Sequence, residues 1–414
     1  MGSCVVESSC RLCREGTIDV FLDLGNQPLA NALVPNGTDP SEESRYPLQL
    51  GRCSNCGLVQ LTATVDPNDL FVDYNYASSY SDVVLHSAKA LVDRLVKERQ
   101  LGSEDLAIEI ASNDGYLLRN YVEAGVPVLG IDPAKNLADR AREVGVATIT
   151  EFFGEELAQR LVADGKRASV VHANNVLAHV PDINGVLTGI ATVLRPDGVA
   201  VLESPWLRWF IENIEFDTTY HEHLFYYSLA AFRGALLRNG LDVVEVEELP
   251  IHGGTLRVYA MHVDSANPTS AVADLLALEH DLGLDDAGVF ATYGDRVQGL
   301  GVQLKSLLTS LKSEGATIAA YGAAAKGAVL LNTFGIGPEL IDFVADRSPL
   351  KQGQQMPGVA IPIVSPDQLV ARKPDYTVIL AWNHADEVRA QQSEYRASGG
   401  RFIVPLPVPR IVSG

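Results

Sequence analysis

The sequence predicts an α/β protein in three parts: a small cysteine-rich module at the N-terminus, followed by two separate Rossmann-like parallel sheets. Three observations predict it. All five cysteines fall in the first 56 of 414 residues, short apolar strands alternate with amphipathic helices from Asp105 onward, and the same alternation restarts near Ala316. At this length one core is disfavoured, because domains of roughly 100–200 residues are the norm. Apolar residues make up 47% of the chain and charged residues 20%, which excludes disorder, collagen and coiled coil as the global answer. Lys plus Arg number 32 against 52 Asp plus Glu, a net charge of −20, so the mean field repels phosphate backbones and anionic membranes. Nucleic-acid and membrane partners are therefore not expected. No run reaches the ~18 apolar residues of a membrane span, and the first residues lack a basic region ahead of a hydrophobic one, so a cytoplasmic protein is expected.

The first part is residues 1–70. Cys10, Cys13, Cys53 and Cys56 form two C-x2-C pairs separated by 39 residues. Each pair puts two sulfurs on one tight turn, and two such knuckles close a tetrahedral shell around zinc. Four thiolates leave no open coordination position, so the metal is expected to be structural, holding together a module with little core. The alternatives are reduced structural thiols or two disulfides, the latter disfavoured in a cytosolic chain. Cys4 is left over. Strands are expected at Thr17–Leu22, Pro47–Leu50 and Leu58–Leu61, and Ser87–Arg99 has helical spacing that leads into the second part.

The second part is residues 71–265. Its first strand ends in the turn Glu109-Ile110-Ala111-Ser112-Asn113-Asp114-Gly115, and its next strand ends at Asp132. In a doubly wound sheet, ligands sit beyond the carboxyl ends of the strands at the switch point, so both turns face one crevice. The turn lacks G-x-G-x-x-G, which fits a ribosyl cofactor without a pyrophosphate better than a dinucleotide. Asp132 is placed to accept hydrogen bonds from a ribose diol. Alternatively, Asp132 caps the following helix and Gly115 merely relaxes a turn. With Leu194-Arg195-Pro196-Asp197-Gly198 ahead of a later strand, the ordered set resembles the motifs of class I S-adenosylmethionine methyltransferases. That resemblance implies S-adenosylmethionine as cofactor, with Glu109, Asn113, Gly115, Asp132 and Asn174 as candidate binding residues.

The third part, residues 266–414, opens with a mostly helical bridge at about Pro268–Ser313 and continues as the second Rossmann-like sheet. Gly322–Gly327 follows a strand but has too few glycines for a dinucleotide turn. Five blocks stand out across the chain: Glu203-Ser204-Pro205, Tyr220-His221-Glu222-His223-Leu224-Phe225, His252-Gly253-Gly254, Tyr321-Gly322-Ala323-Ala324-Ala325-Lys326 and Ala381-Trp382-Asn383-His384. With the cysteine module and the two sheets, they make the chain similar to the nucleotide-sugar C-methyltransferases of deoxysugar pathways in antibiotic-producing bacteria. The resemblance implies methylation of a carbon beside the keto group of a dTDP-4-keto-6-deoxysugar, usually C3. One departure is His221, where some members carry Asp.

Carbon becomes a nucleophile only when a C–H bond beside a carbonyl is broken, so such a site needs a base, an oxyanion donor and an aligned methyl sulfonium. His223 has the intrinsic pKa of a base near neutrality. Glu222 is suited to orient an imidazole or a sugar hydroxyl, and Tyr220 to donate to an enolate oxygen. The resemblance adds Tyr76 and His179 as residues that reach the sugar. Lys326, Lys351, Arg347 and His252 are candidates for binding the substrate, the cations for its diphosphate. The competing readings are a packed aromatic turn at Tyr220–Tyr227, a bifunctional or NAD(P)H-dependent ketosugar reductase, and a non-catalytic methyltransferase-like binding protein.

Overall fold

A computed structural model of the chain describes residues 4–66, 70, 78–251 and 253–412. In the N-terminal module, β1 (Ile18–Pro28) pairs antiparallel with β2 (Arg45–Cys53), which pairs antiparallel with β3 (Val59–Leu61). The strand expected to stop at Leu22 runs on to Pro28. Register irregularities between Val20 and Leu22 and between Asp23 and Asn26 absorb the polar stretch that would otherwise end it. The fourth strand of this sheet comes from far downstream: Phe225–Tyr226 pairs antiparallel with β3, Phe225 opposite Gln60.

The helix Asp82–Arg99 starts five residues ahead of the expected Ser87 because the Ser81 hydroxyl accepts the Val84 N–H at 3.5 Å and caps it. The middle sheet follows: β4 (Ala107–Ile110), β5 (Val128–Ile131), β6 (Thr148–Ile149), β7 (Ala168–Asn174), β8 (Leu194–Pro205), β9 (Leu241–Leu249) and β10 (Thr255–His262). Their order is β9-β10-β8-β7-β4-β5-β6. The first five are parallel and separated by helices, as the alternation predicts. β10 runs antiparallel to β8 and β9, a hairpin the alternation does not indicate. The order reverses at β4, whose neighbours are β5 on one side and β7 on the other, so a crevice opens beyond their carboxyl ends.

The bridge contains the helices Ser270–Asp281, Gly288–Ala291 and Tyr293–Ser313. Buried Glu279 anchors it. Its carboxylate accepts Trp206 Nε1–H at 2.6 Å and the N–H groups of Leu229 and Ala230 at 2.6 and 3.0 Å, closing the N-terminus of the helix Leu229–Arg238. The second sheet contains β11 (Ile318–Tyr321), β12 (Val344–Ala345), β13 (Ile363–Val364), β14 (Tyr376–Ile379), β15 (Arg401–Val404) and β16 (Arg410–Val412), ordered β13-β12-β11-β14-β15-β16. Only β16 is antiparallel to its neighbour among these described strands.

One apolar core runs from Leu48 and Leu50 of the module, across one face of the middle sheet and the bridge, to Ile318 and Val378. Smaller cores lie under the helix Asp82–Arg99 and on the other face of the second sheet. Burying each large apolar side chain contributes about 1.5–3 kcal/mol, so a shared core ties the three parts together. Among the described residues, no helix is long and apolar enough to cross a membrane.

Candidate active site

The sulfurs of Cys10, Cys13, Cys53 and Cys56 all lie within 4.8 Å of one another. The Cys10–Cys56 and Cys13–Cys53 pairs are 3.6 Å apart. That is far beyond a disulfide bond and near the ~3.8 Å edge of a tetrahedron with 2.3 Å metal–sulfur bonds. Amide donors surround the thiolates. Gln60 Nε2–H points to Cys10 Sγ at 3.0 Å, and backbone N–H groups of Gly16, Asn55 and Cys56 point to Cys13 or Cys53 at 3.4 Å. Position 16 must be glycine, because a Cβ there would sit 2.3 Å from Cys53 Sγ. Cys4 is on a separate short strand, Cys4–Val6. The donor set fits zinc.

In the crevice of the middle sheet, the turn after β4 holds Ala111, Asn113 and Gly115 in the left-handed region, with φ of 51°, 51° and 79°. Two such residues are not glycine, a conformational cost that concentrates at functional sites. Asp132 locks the turn: it accepts the Asn113 N–H at 2.8 Å and the Ala134 N–H at 2.8 Å. Asp132 does not cap the following helix, Lys135–Glu143, whose N-cap is Ala134 with no side-chain cap bond; its bond to the Ala134 N–H pins the turn ahead of that helix. Gly115 packs tightly, a Cβ there meeting Val144 and Val146 at 3.1 Å. Glu109 Oε2, Asp114 Oδ1 and Asn174 Oδ1 are buried without a hydrogen-bond partner among the described residues. Burial and the nearby Asp132, Asp114 and Glu203 hold Glu109 well above the carboxylate range. Three unpaired polar atoms at adjacent strand ends suit a ligand rich in hydrogen-bonding groups, such as S-adenosylmethionine.

The Tyr-His-Glu-His block lies beside this crevice, sewn to the turn after β7 by the Leu224 N–H, which donates to Ala178 C=O at 2.6 Å. His223 Nδ1 donates to the Thr218 carbonyl at 3.1 Å, and Tyr226 OH donates to the same oxygen at 2.9 Å. A carbonyl only accepts, so Nδ1 carries the proton and Nε2 is the basic nitrogen. Tyr220 OH donates to that nitrogen at 2.8 Å. The His179 ring lies edge-on to His223, centroids 4.8 Å apart, and its Nδ1 donates to Glu222 C=O at 2.7 Å. Exclusion of water lowers His179 to about 4, so it is neutral. Glu222 is buried, and burial lifts its carboxyl to about 7. The structure thus brings His223, Tyr220, Glu222 and His179 together. Tyr76 and His252 lie outside the described residues.

A second buried group sits behind the block. Burial lifts Glu215 to about 7 and Asp217 to about 6, and both face the half-buried Lys326 from the second sheet. Trp382 Nε1–H donates to Asp217 at 2.7 Å, and Lys326 Nζ donates to Asn383 Oδ1 at 3.0 Å while lying 4.6 Å from the centre of the Trp382 ring. At the end of β12, Asp346 accepts the N–H groups of Ala323 and Ser348 at 2.7 and 2.8 Å, the same lock as at Asp132. Lys351 Nζ donates to Ala323 C=O at 2.7 Å, and Arg347 is exposed. Sequence reasoning missed Asn31, Asp114, the Thr218 carbonyl and the Asp217–Trp382 link. Of these, only Asp114 leaves a trace in the sequence, inside the turn Glu109–Gly115.

Three family models match the chain: "Putative zinc binding domain" over residues 10–71, "Methyltransferase domain" over 84–246 and "C-methyltransferase C-terminal domain" over 250–407. The C-methyltransferase NovU of Streptomyces niveus is 37% identical over 406 residues, covering 98% of this chain and 96% of that protein. The chain belongs to the C-methyltransferase family. An ubiquinone biosynthesis O-methyltransferase of Bartonella tribocorum is 26% identical over 106 residues, covering 25% of this chain and 43% of that one. Among solved structures, magnesium protoporphyrin IX methyltransferase from Synechocystis PCC 6803 with bound SAM matches at a TM-score of 0.35 and 17% identity, covering 46% of this chain and 86% of that one. As a C-methyltransferase, the chain takes its methyl group from S-adenosylmethionine and holds zinc in the four-cysteine cluster.

Proposed function

We propose that this C-methyltransferase methylates the carbon beside the keto group, at C3, of a dTDP-4-keto-6-deoxysugar, working in the cytoplasm. The labour is divided among a zinc module (1–70), a cofactor-binding unit (71–265) and a bridge with a substrate-binding sheet (266–414). One observation carries the reading: the Tyr220–His223 pair, with the imidazole fixed so that its basic nitrogen meets the Tyr220 hydroxyl at 2.8 Å. His223 Nε2 removes the proton from the carbon. Tyr220 OH turns from that nitrogen to the developing enolate oxygen, which both uncovers the base and stabilises the charge. Glu222 accepts a hydrogen bond from a sugar hydroxyl. His179 and Tyr76 bound the sugar. Glu109, Asn113, Gly115, Asp132 and Asn174 hold S-adenosylmethionine, which supplies the electrophilic methyl group. Lys326, Lys351, Arg347 and His252 hold the nucleotide end, the cations facing its diphosphate.

The test is incubation of the purified enzyme with S-adenosylmethionine and a panel of dTDP-4-keto-6-deoxysugars, read by mass. A gain of one methyl, placed on the carbon beside the ketone by NMR, supports the reading. Methylation on oxygen or nitrogen would overturn it.

A further inference from the structure

The catalytic turn is built partly by the zinc module. Phe225–Tyr226, which directly follows the Tyr-His-Glu-His block, is a strand of the module's sheet, and the Leu61 N–H donates to Leu224 C=O at 2.9 Å. His221 Nε2 donates to Tyr46 C=O at 3.4 Å, with the two rings edge to face at 5.8 Å. One contact reaches a reacting-site side chain itself: Asn31 Nδ2, in the loop between β1 and β2, donates to Glu222 Oε1 at 2.7 Å.

We propose that Asn31 is a positioning residue for methyl transfer, its amide aiming the Glu222 carboxylate at the substrate. The inference rests on the reading of Glu222 given above. A buried carboxylate needs a fixed donor to stay charged and in one rotamer. Among the described residues, burial and the Asn31 amide are the two influences acting on Glu222, and they oppose each other. The other titratable groups around it are Tyr220, His221 and His223 on its own turn and His179 on the turn after β7. Burial keeps His179 and His221 neutral, each near 4. Neither of these two can replace the amide as a cation. A loop of the zinc module therefore sets the state of a group in the site.

Three full-length variants test this, Asn31→Ala, Asn31→Asp and Glu222→Gln, each checked for zinc content and S-adenosylhomocysteine affinity. The probe is whichever dTDP-4-keto-6-deoxysugar accepts a methyl group from the wild type, with kcat and KM followed against pH. Asn31→Ala should lose roughly 10- to 100-fold in kcat/KM, with zinc and S-adenosylhomocysteine binding intact. Its acid limb should move to higher pH, because the ionised carboxylate has lost its donor. Asn31→Asp should work best on the acid side, where two facing carboxyls share one proton and one of them can donate, and should fade as both ionise. A merely structural role would not give that inverted profile. Wild-type kcat/KM and pH limb in Asn31→Ala, alongside an impaired Glu222→Gln, would overturn the role of Asn31 while sparing that of Glu222. Equal loss in Asn31→Asp at every pH would overturn it too. Full activity in Glu222→Gln would instead remove the reading on which the proposal stands.

Discussion

Replacing Glu222 by Gln should stabilise the protein at alkaline pH while damaging catalysis. Burial lifts the Glu222 carboxyl from 4.5 to about 7. The folded chain therefore binds this proton more tightly than the unfolded chain does. The associated stability is fully present below pH ~4.5 and is lost as pH rises through ~7. By about pH 8 the ionised, buried carboxylate costs about 3 kcal/mol relative to its unfolded state, at 1.36 kcal/mol per pH unit. Gln has nearly the same shape, keeps an acceptor for the Asn31 amide and carries no charge. Thermal unfolding of wild type and Glu222→Gln at about pH 5 and about pH 8 isolates the effect, because Glu215 and Asp217, which titrate in the same window, are common to both proteins. At alkaline pH the variant should unfold several degrees higher, on a scale of about 2–4 °C per kcal/mol for a unit of 150–250 residues. At acid pH the two should nearly coincide, since both side chains are then neutral. A variant that is stabilised equally at both pH values, or destabilised at the alkaline one, would refute the reasoning that a desolvated charge is stored at this position.

Cys53→Ser should release the metal and uncouple the module. Elemental analysis should fall from close to one zinc per chain to far less, and wild type purified without metal would contradict the assignment of the cluster. Asp132→Ala removes the acceptor of the Asn113 N–H in the turn after β4 and should weaken S-adenosylhomocysteine binding by roughly 1–3 kcal/mol, read by calorimetry; unchanged affinity would leave Asp132 as a lock on the two turns alone. His223→Asn should keep both ligand affinities and lose methylation, together with any solvent deuterium exchange at the carbon beside the ketone. Exchange persisting at the wild-type rate would move the base elsewhere. Tyr220→Phe should leave a measurable enzyme slowed by on the order of 3 kcal/mol in the transition state, the usual cost of one oxyanion donor.

What the sequence made legible follows from the range over which each signal acts. Two C-x2-C knuckles are local turns, and their approach to each other is forced by tetrahedral thiolate chemistry, so the cluster at Cys10, Cys13, Cys53 and Cys56 could be read directly. The parallel strands could be read too, because burial on both faces makes β4 and β7 short, mostly apolar runs, broken by Glu109 in one and by Ser169, His172 and Asn174 in the other, flanked by amphipathic helices. The β9–β10 hairpin broke that rhythm: Leu241–Leu249 carries four acids, Asp242, Glu245, Glu247 and Glu248, whose charges are answered only in three dimensions. Arg233 pairs with Asp242, and Arg94 and Arg257 with Glu247.

The site divides along the same line. Tyr220, Glu222 and His223 are conspicuous because a run of polar aromatics and an acid is costly to bury without a purpose. The groups that decide how they work are of a different kind. Thr218 fixes the His223 tautomer through a backbone carbonyl, to which any residue would contribute the same atom. Asn31 meets Glu222 across 191 positions of sequence, and Asp217 meets Trp382 across 165. An exposed loop asparagine has no periodicity and no motif, and its role exists only because Phe225–Tyr226 joins the sheet of the zinc module. That strand exchange makes the block a seam between parts rather than a possession of the middle sheet. A base, its tautomer and the charge of its neighbouring acid are consequently set from both sides of the chain, and loss of the metal should be felt in turnover before it is felt in cofactor binding.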